Sequence, residues 1–138
     1  MGWTVHVGDR IAVLVIEDDP DLGLLLTDIL SAQPGVAASL ARDPSAIAAE
    51  AAPDIILTDL FGSAWYDSAI ATRQLEDLRG RFPRVPIVLV TAHWQADAER
   101  ALLPVDAVMT KPFDVDALAQ LVLSFDVTRS SLEHQGAN

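Results

Sequence analysis

Short, continuously apolar segments alternate along this chain with longer segments whose apolar residues have helical spacing. The three clearest apolar segments are IAVLVI, DIILT and PIVLV, at 11–16, 54–58 and 86–90. Hydrophobicity that is continuous rather than alternating is typical of parallel strands covered on both faces. Parallel strands need long crossover connections, and these are right-handed. The pattern therefore predicts a doubly wound α/β fold, with one five-stranded parallel sheet and helices on both faces.

Weaker signals complete this pattern. The fourth and fifth strand candidates are 36–40 and 106–110. Helix starts are indicated by a proline in a first turn and by aspartates as N-caps, and helix stops by later prolines. We predict one domain over 10–125, with 1–9 and 126–138 as peripheral terminal segments. The predicted helices are 20–33, 43–52 (capped by Asp43), 67–82, 95–103 and 114–125.

Composition and charge exclude several functions. The chain has 138 residues, of which 51% are hydrophobic, so it can bury the core of one domain. No apolar run approaches the ~20 residues of a membrane span. The net charge of −11, without a Lys/Arg cluster, repels nucleic-acid phosphates. The absence of cysteine and of a signal-peptide pattern suits the cytoplasm. We expect a cytoplasmic protein that binds neither membranes nor nucleic acid directly.

The carboxyl ends of the predicted strands carry most of the reactive side chains, and functional groups gather at such ends. Carboxylates that meet there raise each other's pKa unless a cation is present, and an all-oxygen site suits Mg²⁺. With a lysine and a hydroxyl, such a site can stabilise a phosphoryl group that passes onto a carboxylate. The residues at these ends are Glu17, Asp18, Asp19, Asp59, Thr91 and Lys111.

Four motifs, VLVIEDDPD, PDIILTDL, PIVLVTA and TKPF, follow one another at successive strand ends. Together they resemble the receiver domains of response regulators in two-component signalling, over about residues 10–125. The resemblance implies the flavodoxin-like receiver fold, Mg²⁺ as cofactor, and a stand-alone regulatory domain that is not an enzyme. It implies a sensor histidine kinase or a histidine phosphotransfer protein as partner. An unknown downstream protein would receive the signal. The resemblance leaves open whether the domain forms a homodimer.

The resemblance also assigns the acidic residues. Asp59 resembles the phosphoacceptor of the family. Asp18 and Asp19 resemble its metal-binding pair, and Asp59 with the backbone carbonyl of Phe61 would complete the metal site. A simpler alternative for Asp18 and Asp19 is that they are helix N-terminal charges, which the helix dipole favours.

The remaining site residues include matches to the family and departures from it. Thr91 matches the switch hydroxyl and Lys111 the phosphoryl-binding lysine, and the family implies a cis bond between Lys111 and Pro112. Val108 stands where many relatives have an aromatic switch residue. Phe61 is apolar where many relatives are polar, and Ala92 is small. We expect Phe61 to shield a phosphorylated Asp59 from water, Ala92 to leave one side open, and Val108 to alter signal relay.

Two other functions of the same fold stay open at this point. The domain could pass its phosphoryl group on to another histidine, or could dock partners without phosphorylation because Val108 replaces the aromatic. A Mg²⁺-dependent phosphohydrolase of the haloacid-dehalogenase type needs an acid–base aspartate two residues after the nucleophile. That position is Phe61, which cannot transfer protons and disfavours this alternative. Trp65 and Trp94 either mark a partner surface or pack the loops.

Overall fold

Five parallel strands form one sheet in the order β2-β1-β3-β4-β5. A computed structural model describes residues 10–61 and 65–136, with side chains described as far as Phe125 in the last helix. This strand order is that of flavodoxin-like doubly wound sheets, so the predicted fold class is confirmed. The elements are β1 (Ile11–Ile16), α1 (Pro20–Ser31), β2 (Val36–Ala41), a 3₁₀ turn (Pro44–Ala46), β3 (Ile55–Thr58), α2 (Ser68–Arg81), β4 (Ile87–Thr91), α3 (Trp94–Ala98), β5 (Ala107–Thr110) and α4 (Val115–Gly136).

Each face of the sheet has its own hydrophobic core, because successive strand side chains point to opposite faces. One core joins the sheet to α1 and α4 through residues such as Leu30 and Leu118. The other joins it to α2 and α3 through residues such as Leu75 and Ala96. The central strands are buried on both sides, and this is why their sequences are continuously apolar. All five predicted strands are confirmed, with ends that differ by one residue at most.

The connection between β2 and β3 differs from the prediction. A helix over 43–52 is wrong: Asp43 does cap a helical turn, but the turn is 3₁₀ and covers only Pro44–Ala46. Ile47 is the one buried side chain of this stretch, so a longer helix would bury little apolar surface, and short helices depend on such burial. The carbonyl groups of the connection are bound instead by Arg81, whose guanidinium donates to Pro44, Ile47 and Ala48 at 3.1–3.2 Å.

The last two helices also differ from their predicted lengths. α3 ends at Ala98, and turns replace the rest of the predicted helix over 95–103. α4 runs without a break through residue 125, where the domain boundary was predicted, to Gly136. The predicted terminal segment 1–9 lies outside the described residues. None of the described helices is long and apolar enough to cross a membrane.

Two aspartates extend the strand pairing at the edge of the sheet that contains the amino ends of the strands. The N–H of Asp54 donates to the Ala12 carbonyl (2.7 Å), and its carboxylate accepts from the Ala12 N–H (2.8 Å). Asp106 forms the same two bonds with Ile87, each 2.8 Å long. Asp106 also pairs with Arg79 at 2.8 Å. Each aspartate therefore satisfies an amide at the start of a neighbouring strand, that of the second residue of β1 or the first residue of β4.

We predict that Asp106→Ala lowers the free energy of unfolding by about 2 kcal/mol. The substitution leaves the N–H of fully buried Ile87 without its acceptor, and an unsatisfied buried donor costs about that much. Asp106→Asn keeps an acceptor and loses only the half-exposed pair with Arg79, so its loss should stay below about 1 kcal/mol. Urea denaturation measures both values, with exposed Asp97→Ala as the control. Equal losses in the two Asp106 variants would contradict this account.

Candidate phosphoacceptor site

Backbone hydrogen bonds link the carboxyl ends of the strands side by side. The N–H of Asp59 donates to the Ile16 carbonyl at the end of β1 (3.2 Å), and the N–H of Lys111 donates to the Thr91 carbonyl (2.8 Å). The N–H of Glu17 donates to the last carbonyl of β2 (3.0 Å). The predicted site residues therefore lie at one edge of the sheet.

Lys111 joins two carboxylates at the centre of this edge. Its ammonium lies 2.8 Å from Oδ2 of Asp59 and 3.0 Å from Oε1 of Glu17. The side chains of Asp59, Glu17 and Lys111 are only 17%, 4% and 19% exposed, so little water screens them. The bond between Lys111 and Pro112 is cis, as predicted. One part of the predicted cluster, Asp59 with Lys111, is thus in direct contact, and Glu17 shares the lysine.

The pKa values of this group reflect a balance between burial and charge. Burial raises the pKa of Glu17 above its ordinary value, although the hydrogen bond and charge of Lys111 act in the opposite sense. The charges of Asp59 and Asp18 raise the Glu17 pKa further. Burial alone would lower the pKa of Lys111, but its two carboxylate partners outweigh that effect and raise it. The lysine therefore stays charged, and part of the negative charge at the end of β1 is neutralised by the protein itself.

The predicted acid pair divides between two roles. Asp19 is the N-cap of α1, and its Oδ1 accepts from the N–H groups of Asp21 (3.0 Å) and Leu22 (3.3 Å). The simpler alternative for Asp19, a helix-terminal charge, is thus confirmed, while its predicted role as a metal ligand stays a prediction. Asp18 is exposed beside the site and lies close enough to Glu17 to raise that residue's pKa.

The segment after the acceptor is held in place by side chains as well as backbone. Oδ1 of Asp59 accepts from the N–H of Leu60 (2.7 Å). The N–H of Phe61 donates to Oε1 of Gln74 on α2 (3.0 Å), and Nε2 of Gln74 donates back to the Phe61 carbonyl. The Phe61 carbonyl is the group that the family resemblance assigned to the metal. It has a protein partner that sequence analysis did not identify.

Thr91 connects the site to the loops on one side. Its side chain is fully buried, and its hydroxyl oxygen accepts from the N–H of His93 (3.1 Å). The His93 ring contacts that of Tyr66, with centroids 6.1 Å apart, and the Tyr66 hydroxyl donates to Glu99 (2.6 Å). Burial, together with Glu99, raises the pKa of Tyr66 to about 12, so the phenol remains a donor. These contacts couple the loop after β3 to the segment around α3.

Phe61, Ala92 and Val108 are the three residues predicted to modify the lifetime or the relay of the phosphorylated state. Val108 is half-buried and packs against the core on the α2 side of the sheet. The Phe61 side chain packs against the same core, and Ala92 is exposed. Shielding of Asp59 by Phe61, and altered relay through Val108, stay predictions. Trp65 and Trp94 are 83% and 69% exposed, as a role at a partner surface requires.

The oxygen atoms of this edge fit a hard divalent cation by their chemistry. In the part of the chain that the structure describes, no three His, Cys, Asp or Glu side chains form a group that could hold a metal ion. Mg²⁺ needs fewer, because it is bound through one or two carboxylates and keeps several waters. Asp18, Asp59 and the Phe61 carbonyl are such donors, whereas Asp19 is used as a helix cap. Binding of Mg²⁺ itself stays a prediction.

Sequence analysis placed Glu17 at this edge without assigning it a role, and it did not identify Gln74 as a member of the site. Glu17 had a signal, since it directly follows the buried strand β1 and its backbone continues the strand pairing with β2. Gln74 had none, because one glutamine in an amphipathic helix resembles any half-exposed residue. Its partner is 13 residues away and is reached only once α2 packs on the sheet.

The chain is similar in sequence to parts of two known proteins, although no protein-family model matches it. It is 34% identical over 130 residues to the sensor histidine kinase GacS of Pseudomonas protegens, covering 90% of this chain and 14% of the kinase. It is 28% identical over 113 residues to the nitrogen assimilation regulatory protein NtrX of Azorhizobium caulinodans, covering 77% of this chain and 24% of the regulator. The chain thus spans a quarter or less of either relative.

The fold of this chain is similar to that of a solved structure. The receiver domain of the Francisella response regulator 1452 matches with a TM-score of 0.70 at 20% identity, over 87% of this chain and 99% of that one. The described part of the chain therefore has the fold of a response-regulator receiver domain.

Proposed function

We propose that this domain is a phosphorylation-dependent switch that accepts a phosphoryl group on Asp59. The observation that carries the proposal is the contact of Asp59 with Lys111, at 2.8 Å and with both side chains largely buried. A cation held against a carboxylate nucleophile offsets the repulsion between that nucleophile and an incoming phosphoryl group. Asp59 is a regulatory acceptor in this proposal, not a nucleophile of a turnover enzyme.

The transfer itself needs little chemistry from the protein. A carboxylate oxygen of Asp59 attacks the phosphorus, and the bond between phosphorus and the donor's leaving atom breaks. Lys111 stabilises the negative charge that develops on the phosphoryl group, and the N–H of Leu60 keeps the other Asp59 oxygen in place. Bound Mg²⁺, held by Asp18, Asp59 and the Phe61 carbonyl, would supply further neutralisation of charge.

We propose a sensor histidine kinase or a histidine phosphotransfer protein as the donor and the cytoplasm as the location. The similarity to part of a sensor histidine kinase and part of a nitrogen regulator supports this choice of pathway. After transfer, Thr91 is our candidate to report the new charge, because its hydroxyl oxygen accepts a hydrogen bond from the backbone N–H of His93, whose ring contacts Tyr66. The output would be a change in the loops around α3, which a downstream protein would bind.

The proposal predicts covalent modification of one residue. The protein is incubated with Mg²⁺ and a small acyl phosphate, and the acyl phosphate formed on the protein is trapped and located by mass spectrometry. We expect a single phosphoryl group per chain, on Asp59. Modification of another residue, or no modification with either the small donor or a phosphorylated histidine protein, would refute the proposal.

A further inference from the structure

Gln74 forms a two-point contact with the backbone of Phe61. Its side-chain oxygen accepts from the Phe61 N–H at 3.0 Å, and its side-chain nitrogen donates to the Phe61 carbonyl. The glutamine lies in the middle of α2 between Ala71 and Leu78, both of which are buried in the core. A rigid, well-packed helix therefore holds the peptide group two residues past the acceptor.

The chemistry of this contact suits a carboxamide. Asparagine and glutamine have a donor and an acceptor side by side on one planar group, and asparagine is shorter by a methylene. With this contact, three consecutive residues are held: Asp59 by the carbonyl of Ile16, Leu60 by the Asp59 carboxylate, and Phe61 by Gln74. The orientation of the Phe61 carbonyl is therefore set before any ligand arrives.

We propose that Gln74 is a positioning residue that orients the Phe61 carbonyl for a divalent cation. A carbonyl oxygen has two lone pairs, and the Gln74 amide uses one of them. The second lone pair could then coordinate a cation that Asp59 and Asp18 would also hold. The inference rests on the proposed function, since it concerns the metal that would accompany phosphorylation.

We expect this arrangement to raise the affinity of the site for a divalent cation. A ligand held in its bound orientation loses less freedom on binding. Residues that orient metal ligands typically change metal affinity by about 10–100-fold when they are replaced. The contact should therefore matter for binding of Mg²⁺ even though Gln74 itself does not touch the ion.

The test compares Gln74→Met, which has a similar shape but no hydrogen-bonding amide, with Gln120→Met on the exposed side of α4. Affinity for Mg²⁺ and Mn²⁺ is measured by titration calorimetry on the full chain, and hydrogen exchange at the Phe61 amide is measured by NMR without metal. We expect Gln74→Met to weaken affinity by about tenfold and to speed exchange at Phe61. Gln120→Met should change neither. Gln74→Ala should repeat the result if the methionine variant does not fold.

Two results would overturn the positioning role. One is unchanged affinity in a folded Gln74 variant whose Phe61 amide exchanges faster. The other is tighter binding, which would mean that the glutamine competes with the metal for the carbonyl. If the wild-type chain binds no divalent cation and is not phosphorylated, the proposed function fails and this inference fails with it. Normal phosphorylation and metal binding in the wild type, with an unaffected Gln74 variant, would refute this inference alone.

Discussion

Replacing Asp59 with asparagine is expected to abolish phosphorylation of the domain while leaving it folded. Asparagine keeps one oxygen, which can accept from the Leu60 N–H, and Lys111 keeps Glu17 as its partner. The amide lacks the nucleophilic carboxylate, and loss of a nucleophile lowers transfer rates by roughly a hundredfold or more. The measurement is the rate of phosphoryl incorporation from a small acyl phosphate in the presence of Mg²⁺.

The matched control for this variant is Asp77→Asn, the same change at an exposed position on α2. It should be phosphorylated like the wild type. Chelation of divalent metal from the wild-type chain should reduce phosphorylation as strongly as Asp59→Asn does, because carboxylates that lose a cation repel the incoming phosphoryl group. Phosphorylation that survives in Asp59→Asn would place the acceptor elsewhere, and phosphorylation that survives chelation would remove Mg²⁺ from the mechanism.

The second large effect is expected for Lys111→Met, which we predict lowers the free energy of unfolding by about 3 kcal/mol near pH 8. The substitution leaves Glu17, only 4% exposed, as a buried carboxylate without its cation and next to Asp59. Removing one partner of a buried ion pair typically costs about 3–5 kcal/mol, and partial exposure of Lys111 places this case at the lower end. Urea denaturation measures the loss.

This loss should depend on pH in a definite direction. Burial already raises the pKa of Glu17 in the folded chain, and removal of Lys111 raises it further. The folded variant then binds a proton more tightly than the unfolded chain does, so its stability falls as pH rises through the interval between the two pKa values. The destabilisation should be fullest above the folded pKa of Glu17 and should shrink as acid protonates that residue.

Two further variants test this explanation. Glu17→Gln, combined with Lys111→Met, removes the unpaired charge and should recover most of the lost stability near neutral pH. Arg42→Met is the control for loss of a cation, since the Arg42 side chain is 84% exposed and its pair with Asp43 is 3.9 Å long. It should cost less than about 0.5 kcal/mol. A loss in Lys111→Met that is independent of pH would mean that lost packing, and not the unpaired buried charge of Glu17, is responsible.

The strands could be predicted from sequence because their burial on both faces determines which residues they contain. A strand covered on both faces must be apolar at every position, and Ile55, Ile56 and Leu57 are each 0–1% exposed. The crossover over 43–52 could not be predicted in the same way. Its alanines favour a helix locally, but whether a helix forms depends on how much apolar surface it would bury. It also depends on Arg81, which donates to three carbonyls of this segment from 33 or more residues away.

The site was predictable in its residue types but not in how the adjacent acids divide their roles. Glu17, Asp18 and Asp19 follow one another in sequence, and their roles depend on where β1 ends and α1 begins. Glu17 lies closest to the strand and reaches Lys111, whereas Asp19 immediately precedes Pro20 and becomes the helix cap. A shift of one residue in these boundaries exchanges the roles, and boundaries are the least certain part of any sequence-based prediction.

The helices cover the two faces of the sheet unequally, and this difference affects which segments unfold locally. Two long helices, α1 and α4, cover one face, while the other has one long helix, the five-residue α3 and the 3₁₀ turn. Segments with little buried apolar surface open at low free-energy cost, and their amides exchange hydrogen fastest. We expect early exchange over 44–53 and 94–103, and late exchange in β1 and β3. Because α3 begins three residues after Thr91, a rearrangement that starts at Thr91 would displace a thinly packed part of the domain.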